Sequence, residues 1–164
     1  MLHIEKSIEV EVPLRTAYNQ ATQFEDFPRF MDEIQFAEQA GDARVHWKGE
    51  AGGRPIEGTA WIHDQVPDRR IVWRSIDGPE HSGKISFEAA GPERTRVSVQ
   101  LTCEPCAPAG GPADPLVAAV EANLGHFKRY IEARGLETGS WRGEIHEARV
   151  SPPESESLPP EPVG

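Results

Sequence analysis

Residues able to do chemistry are sparse and scattered in this chain. The most pointed pair is Cys103-Glu104-Pro105-Cys106, a C-x-x-C spacing of the kind that holds zinc or exchanges disulfides elsewhere. A structural zinc site needs two further ligands at suitable spacing, and no second C-x-x-C is present. A thioredoxin-like role needs the motif at a helix start within a βαβ unit, whereas this one ends a strand-like run. The six histidines, at 3, 46, 63, 81, 126 and 146, never take H-E-x-x-H spacing, and His46 and His63 fall on outward positions of their segments. There is no G-x-S-x-G, no P-loop and no G-x-G-x-x-G. Acidic side chains are plentiful but mostly alternate to the wet side of strands, so no acid–base pair stands out. No cofactor or metal is expected.

The informative residues are apolar. Trp47 and Trp73 fall on inward positions of two strand-like segments, together with the small residues Gly49, Gly58 and Ala60. Large flat rings beside missing volume fit a cavity for a planar hydrophobic ligand. The plainer alternatives are that both tryptophans are ordinary core and that the glycines mark a bulge or bend. Phe127 lies in the apolar stripe of a long helix, and a 100° step per residue puts Asn123 and Tyr130 at one edge of that stripe. Asn123 and Tyr130 are candidate polar contacts to a ligand, with a solvated flank as the alternative. Arg134 suits the last carbonyls of the helix better than a ligand.

These residues must be positioned by a regular series of elements. Ile4, Ile8, Val10 and Val12 alternate with Glu5, Glu9 and Glu11, which predicts a strand over 3–12. Pro13 stops it and suits a helix start. Leu14, Ala17, Tyr18 and Ala21 predict a helix over 14–23, and Phe24, Phe27, Phe30 and Met31 a second short helical piece. Turn signals then cut the chain into strands near 33–39, 43–50, 55–66, 70–76, 81–89 and 95–103, the pattern of an antiparallel meander. A helix from Pro115 to Arg134, with the stripe Leu116, Val120, Leu124, Phe127 and Ile131, is closed by Gly135. Residues 136–150 lack clear periodicity, although Trp141 and Ile145 would prefer to dock. The division is therefore one domain over 1–147 and a Pro- and Glu-rich tail over 148–164, ending in SPPESESLPPEPVG and expected to be disordered.

Strand, helix pair, six strands and a long helix is the helix-grip order. The segments IEVEVPLRTAYNQATQFEDFPRFM, VHWKGEAGG, DQVPDRRIVWRS and FKRYIEARGLETGSWRGEI, in that order, resemble the polyketide cyclase/dehydrase-type proteins of the START-like superfamily. The resemblance covers roughly residues 1–147. It implies an α+β fold in which a curved seven-stranded antiparallel sheet wraps the C-terminal helix and leaves a hydrophobic cavity. It does not imply a reaction, because one fold hosts many functions.

Composition narrows the partners. The net charge of −10, from 17 basic and 27 acidic residues, argues against nucleic acid and anionic membrane surfaces. No run approaches the ~20 apolar residues of a membrane span, and the N-terminus alternates instead of forming an apolar signal core, so a cytoplasmic location is expected. The expected partner is a small hydrophobic or aromatic molecule, a polyketide, quinone or lipid, bound at Trp47, Gly58, Ala60, Trp73, Asn123, Phe127 and Tyr130. The alternative is an aromatase/cyclase that enolises and dehydrates a poly-β-keto chain, with Tyr18, Asn123 and Tyr130 as possible participants.

Overall fold

The structure, a computed structural model, describes residues 2–31, 34–41, 43–51, 54–77, 81–103, 115–146 and 149–151. Strand β1 (Leu2–Val10) leads through Pro13 into helix α1 (Leu14–Ala21) and a 3-10 turn (Phe24–Arg29). Six strands follow: β2 (Ile34–Gln39), β3 (Arg44–Ala51), β4 (Arg54–Val66), β5 (Arg70–Asp77), β6 (His81–Gly91) and β7 (Arg94–Cys103). Helix α2 (Pro115–Arg134) has the limits its periodicity predicts, and Gly135 ends it at φ 71° with its N–H on the Ile131 carbonyl at 2.8 Å.

The seven expected strands form one continuous antiparallel path, β1-β7-β6-β5-β4-β3-β2, so the chain crosses from one sheet edge to the other through α1 and the 3-10 turn. Curvature comes from bulges. The β4–β5 register slips between Thr59 and Ala60 and again between Ile62 and Asp64, which bends the 13-residue β4. The second slip also changes which side chains point inward: Ala60 and Ile62 are buried before it, and Gln65 after it. Helix α2 lays Val120, Leu124, Phe127 and Ile131, all buried, into the resulting hollow. Polar pins hold its outer side to the β1 edge, since Lys128 Nζ donates to the Glu9 carbonyl (2.9 Å) and the Glu11 N–H to Glu132 (2.7 Å).

Residues 136–146 dock, which their sequence left open. Thr138 and Gln20 exchange two hydrogen bonds, the Trp141 N–H donates to Thr22 Oγ1, and Arg142 bridges Asn19 (2.6 Å) and Asp68 (2.7 Å). Asp68 sits at φ 64° after Pro67 in the β4–β5 turn, a position that usually favours glycine, and its carboxylate is held by Arg142. Two short strands, β8 (Glu144–His146) and β9 (Arg149–Ser151), then add to the sheet through the Gln65–Ile145 pair. Among the described residues the sheet thus carries two short strands in addition to the expected seven, and its order extends past the expected boundary at 147 to Ser151. The rest of the expected tail, 152–164, lies outside the described residues. Among the described residues no helix is long and apolar enough to cross a membrane.

Candidate functional site

Between the concave sheet face and α2 lies a cavity of about 420 Å³. Ligand pockets usually span roughly 300–1,000 Å³, so the hollow is large enough for a small organic molecule. Strands β3 to β7 supply one wall, with Trp47, Ile62, Trp73, Ile85 and Leu101 among the contributors. The opposite wall is aromatic: Phe27 meets Phe24 and Phe30 at ring-centroid distances of 5.3 and 5.4 Å, and Phe30 meets Phe127 of α2 at 5.2 Å. A separate groove of about 440 Å³ runs outside along the edge strand β2 and shares only Ala37 with the cavity.

Five of the seven expected ligand-contacting residues line the cavity: Trp47, Ala60, Trp73, Asn123 and Phe127. Gly58 and Tyr130 do not. Gly58 is buried directly opposite Trp47 in the β3–β4 register, on the same face of the sheet, but is not among the residues that line the cavity. Tyr130, one turn beyond Phe127, turns toward Phe30 (5.5 Å between rings) and the Arg134 guanidinium (5.8 Å). Tyr18 is also outside the cavity. It is fully buried behind Phe87 (5.3 Å), its hydroxyl accepts from Gln65 Nε2 at 2.9 Å, and burial pushes its pKa up to about 12. A phenol so placed is a core element, which removes it as a reaction participant.

Two features of the site escape the sequence reading. The first is the run Phe24, Phe27, Phe30 and Met31, whose apolar residues face the cavity instead of a solid core. The second is His81, the one titratable side chain among the described lining residues. It shares strand parity with Ile85 and Phe87, a signal that was available. Its geometry depends on a glycine. Trp73 pairs across the strands with Gly83, where an added Cβ would come within 2.5 Å of the indole Cη2. With no Cβ there, the ring lies across β6 and its Nε1–H donates to His81 Nδ1 at 3.2 Å.

That bond sets the protonation of His81. Burial pulls its pKa below the ordinary histidine value, so the ring is neutral at physiological pH. An indole N–H can only donate, so Nδ1 must be the bare nitrogen and Nε2 carries the proton. Trp47 packs edge to face against the same imidazole, centroids 5.9 Å apart, and its own N–H is enclosed without an acceptor among the described residues. Among the described residues no group of three or more histidine, cysteine or acidic side chains is placed to hold a metal. Cys103 closes β7, while Cys106 lies outside the described residues.

Known proteins share this architecture. Residues 10–127 match the family described as polyketide cyclase/dehydrase and lipid transport. An uncharacterised 17.2 kDa protein of Streptomyces lincolnensis, from the melC2–rnhH intergenic region, is 39% identical over 149 residues, covering 88% of this chain and 99% of the relative. A Deinococcus radiodurans crystal structure superposes with a TM-score of 0.66 at 25% identity, over 81% of this chain and 99% of that one. The Zhui aromatase/cyclase of Streptomyces sp. R1128 gives 0.62 at 19% identity, over 81% and 94%. A START superfamily protein of Mycobacterium smegmatis gives 0.64 at 20% identity, over 80% and 95%. The last two, at these identities, speak to the fold alone.

Proposed function

The chain belongs to the polyketide cyclase/dehydrase and lipid-transport family, and from that premise we propose that it binds a small hydrophobic or aromatic ligand between sheet and α2. The carrying observation is the cavity itself, about 420 Å³ walled almost wholly by apolar side chains. A natively packed core leaves few voids larger than a water molecule, so a hollow of this size is space kept for an occupant. The driving force is burial of apolar ligand surface, at about 25 cal/mol per Å².

Binding accounts for the lining better than cyclisation does. An aldol cyclisation needs a base to enolise a carbonyl. His81 is the single titratable lining side chain among the described residues, and Trp73 occupies its free nitrogen. The remaining nitrogen already carries the proton, so the ring is a donor.

The test is native mass spectrometry of freshly purified protein, followed by titration with the neutral fluorophore N-phenyl-1-naphthylamine. About 17 ligand atoms at about 0.3 kcal/mol each predict a Kd of roughly 0.2 mM. At tenfold excess over Kd the complex gains about 1.4 kcal/mol, a rise of about 3–6 °C in melting temperature. No co-purified molecule, no fluorescence gain and no thermal shift would overturn the proposal.

A further inference from the structure

We propose that the Nε2–H of His81 is the polar anchor of the cavity and determines its specificity, donating to an acceptor oxygen on an otherwise apolar ligand. The inference rests on the binding function proposed above and names the polar feature its ligand must have.

The cavity offers few polar groups to a ligand. Its walls are apolar apart from Asn123, His81 and the indole N–H groups of Trp47 and Trp73. Trp73 Nε1–H occupies His81 Nδ1, and the backbone N–H of His81 donates to Ser75 Oγ at 3.0 Å. Nε2 forms no hydrogen bond among the described residues. A neutral imidazole in the cavity wall thus keeps one N–H without an acceptor among the described residues and has no lone pair left to offer. Ligands that bring only donors gain nothing from it, and pure hydrocarbons leave it unmet. An apolar frame with one acceptor oxygen satisfies it, and in surroundings this poor in competing polar groups such a bond discriminates more than it would in water.

The fold is arranged to keep this tautomer. Gly83 leaves room for the Trp73 ring to reach across β6, and Trp47 packs against the imidazole from β3. Trp73 is therefore a positioning residue. It sets which nitrogen of His81 carries the proton, besides contributing apolar wall.

The experiment compares 1-tetralone with tetralin, which share a bicyclic frame and differ by one carbonyl. Each displaces N-phenyl-1-naphthylamine from the wild-type protein and from the His81→Phe variant, which keeps a ring and removes the donor. The ratio of the tetralin Kd to the tetralone Kd is expected to fall about tenfold in the variant, because the buried carbonyl is left unpaired. Trp73→Phe is expected to lower the ratio less, and His81 15N shifts are expected to change from one protonated nitrogen, Nε2, to a mixture of tautomers. A measurement that needs no variant is the infrared carbonyl stretch of bound 1-tetralone, expected below its frequency in hexane. An unchanged ratio together with an unshifted stretch overturns the inference while leaving the binding function standing. Failure of the fluorophore and of both ligands to bind overturns the binding function, and the inference with it.

Discussion

Replacing Gly83 with alanine tests the geometry on which the site depends. The backbone at Gly83 is not left-handed, so alanine meets no conformational penalty there. The cost comes from contact. The new Cβ would lie 2.5 Å from the Trp73 Cη2 and 2.9 Å from the Gln100 carbonyl oxygen, where real Cβ atoms essentially never sit. The indole must swing away and the β6–β7 pairing must shift. Overpacking of this kind costs about 1–3 kcal/mol, and loss of the Trp73–His81 hydrogen bond adds about 1 kcal/mol. Reduced freedom of the unfolded chain returns about 0.4–1 kcal/mol. The net loss is about 2 kcal/mol, or about 4–8 °C in melting temperature for a chain of this size. Circular dichroism melts read the stability, and the indole 15N–1H resonance of Trp73 reads the lost bond. The penalties should not add: Trp73→Leu should cost at least about 1 kcal/mol less in the Gly83→Ala background than alone. Recovery should be partial, since the Gln100 carbonyl contact persists. A Gly83→Ala protein that melts within a degree of wild type, or strictly additive penalties, would refute the account of how Trp73 is seated.

Three further outcomes are expected. Tyr18→Phe strips the acceptor from Gln65 Nε2, whose Oε1 already lacks a partner among the described residues, so chemical denaturation should show a loss of about 1–3 kcal/mol with fluorophore affinity unchanged. Ile145→Ala, at a fully buried position on β8, should cost about 2–5 kcal/mol; a negligible effect would mean that the segment after α2 does not contribute to the core. Because burial lowers the folded pKa of His81 from its ordinary 6.5, the unfolded chain binds the proton first. Its contribution is fully present above about pH 6.5 and is lost as pH falls toward the folded value. Melts between pH 7.5 and 5.5 should therefore show a steeper decline for wild type than for His81→Phe, and identical slopes would count against a buried neutral imidazole.

Much of this molecule is legible in its residues. Strand and helix limits follow from period-two and period-3.6 patterns punctuated by Gly and Pro, because local sterics and one-sided burial act over a few residues at a time. The inward placement of Trp47, Ala60, Trp73, Asn123 and Phe127 follows from the same parity. What parity alone could not decide is what depends on register and on pairs far apart in sequence. The bulge in β4 switches the inward parity between Ile62 and Gln65, so Gln65 turns into the core to meet Tyr18. That Gly58 stands directly opposite Trp47 across β3 and β4 is likewise fixed by the strand register and not by parity. Residues 137–142 have no periodicity of their own, since what orders them is a set of hydrogen bonds to α1 more than a hundred residues earlier. His81 shows the division most clearly. Its strand position is written in the alternation with Ile85 and Phe87, yet its chemistry is not. Only when β5 lies beside β6, with Gly83 vacating the space under Trp73, does an indole N–H reach the imidazole and make it a donor.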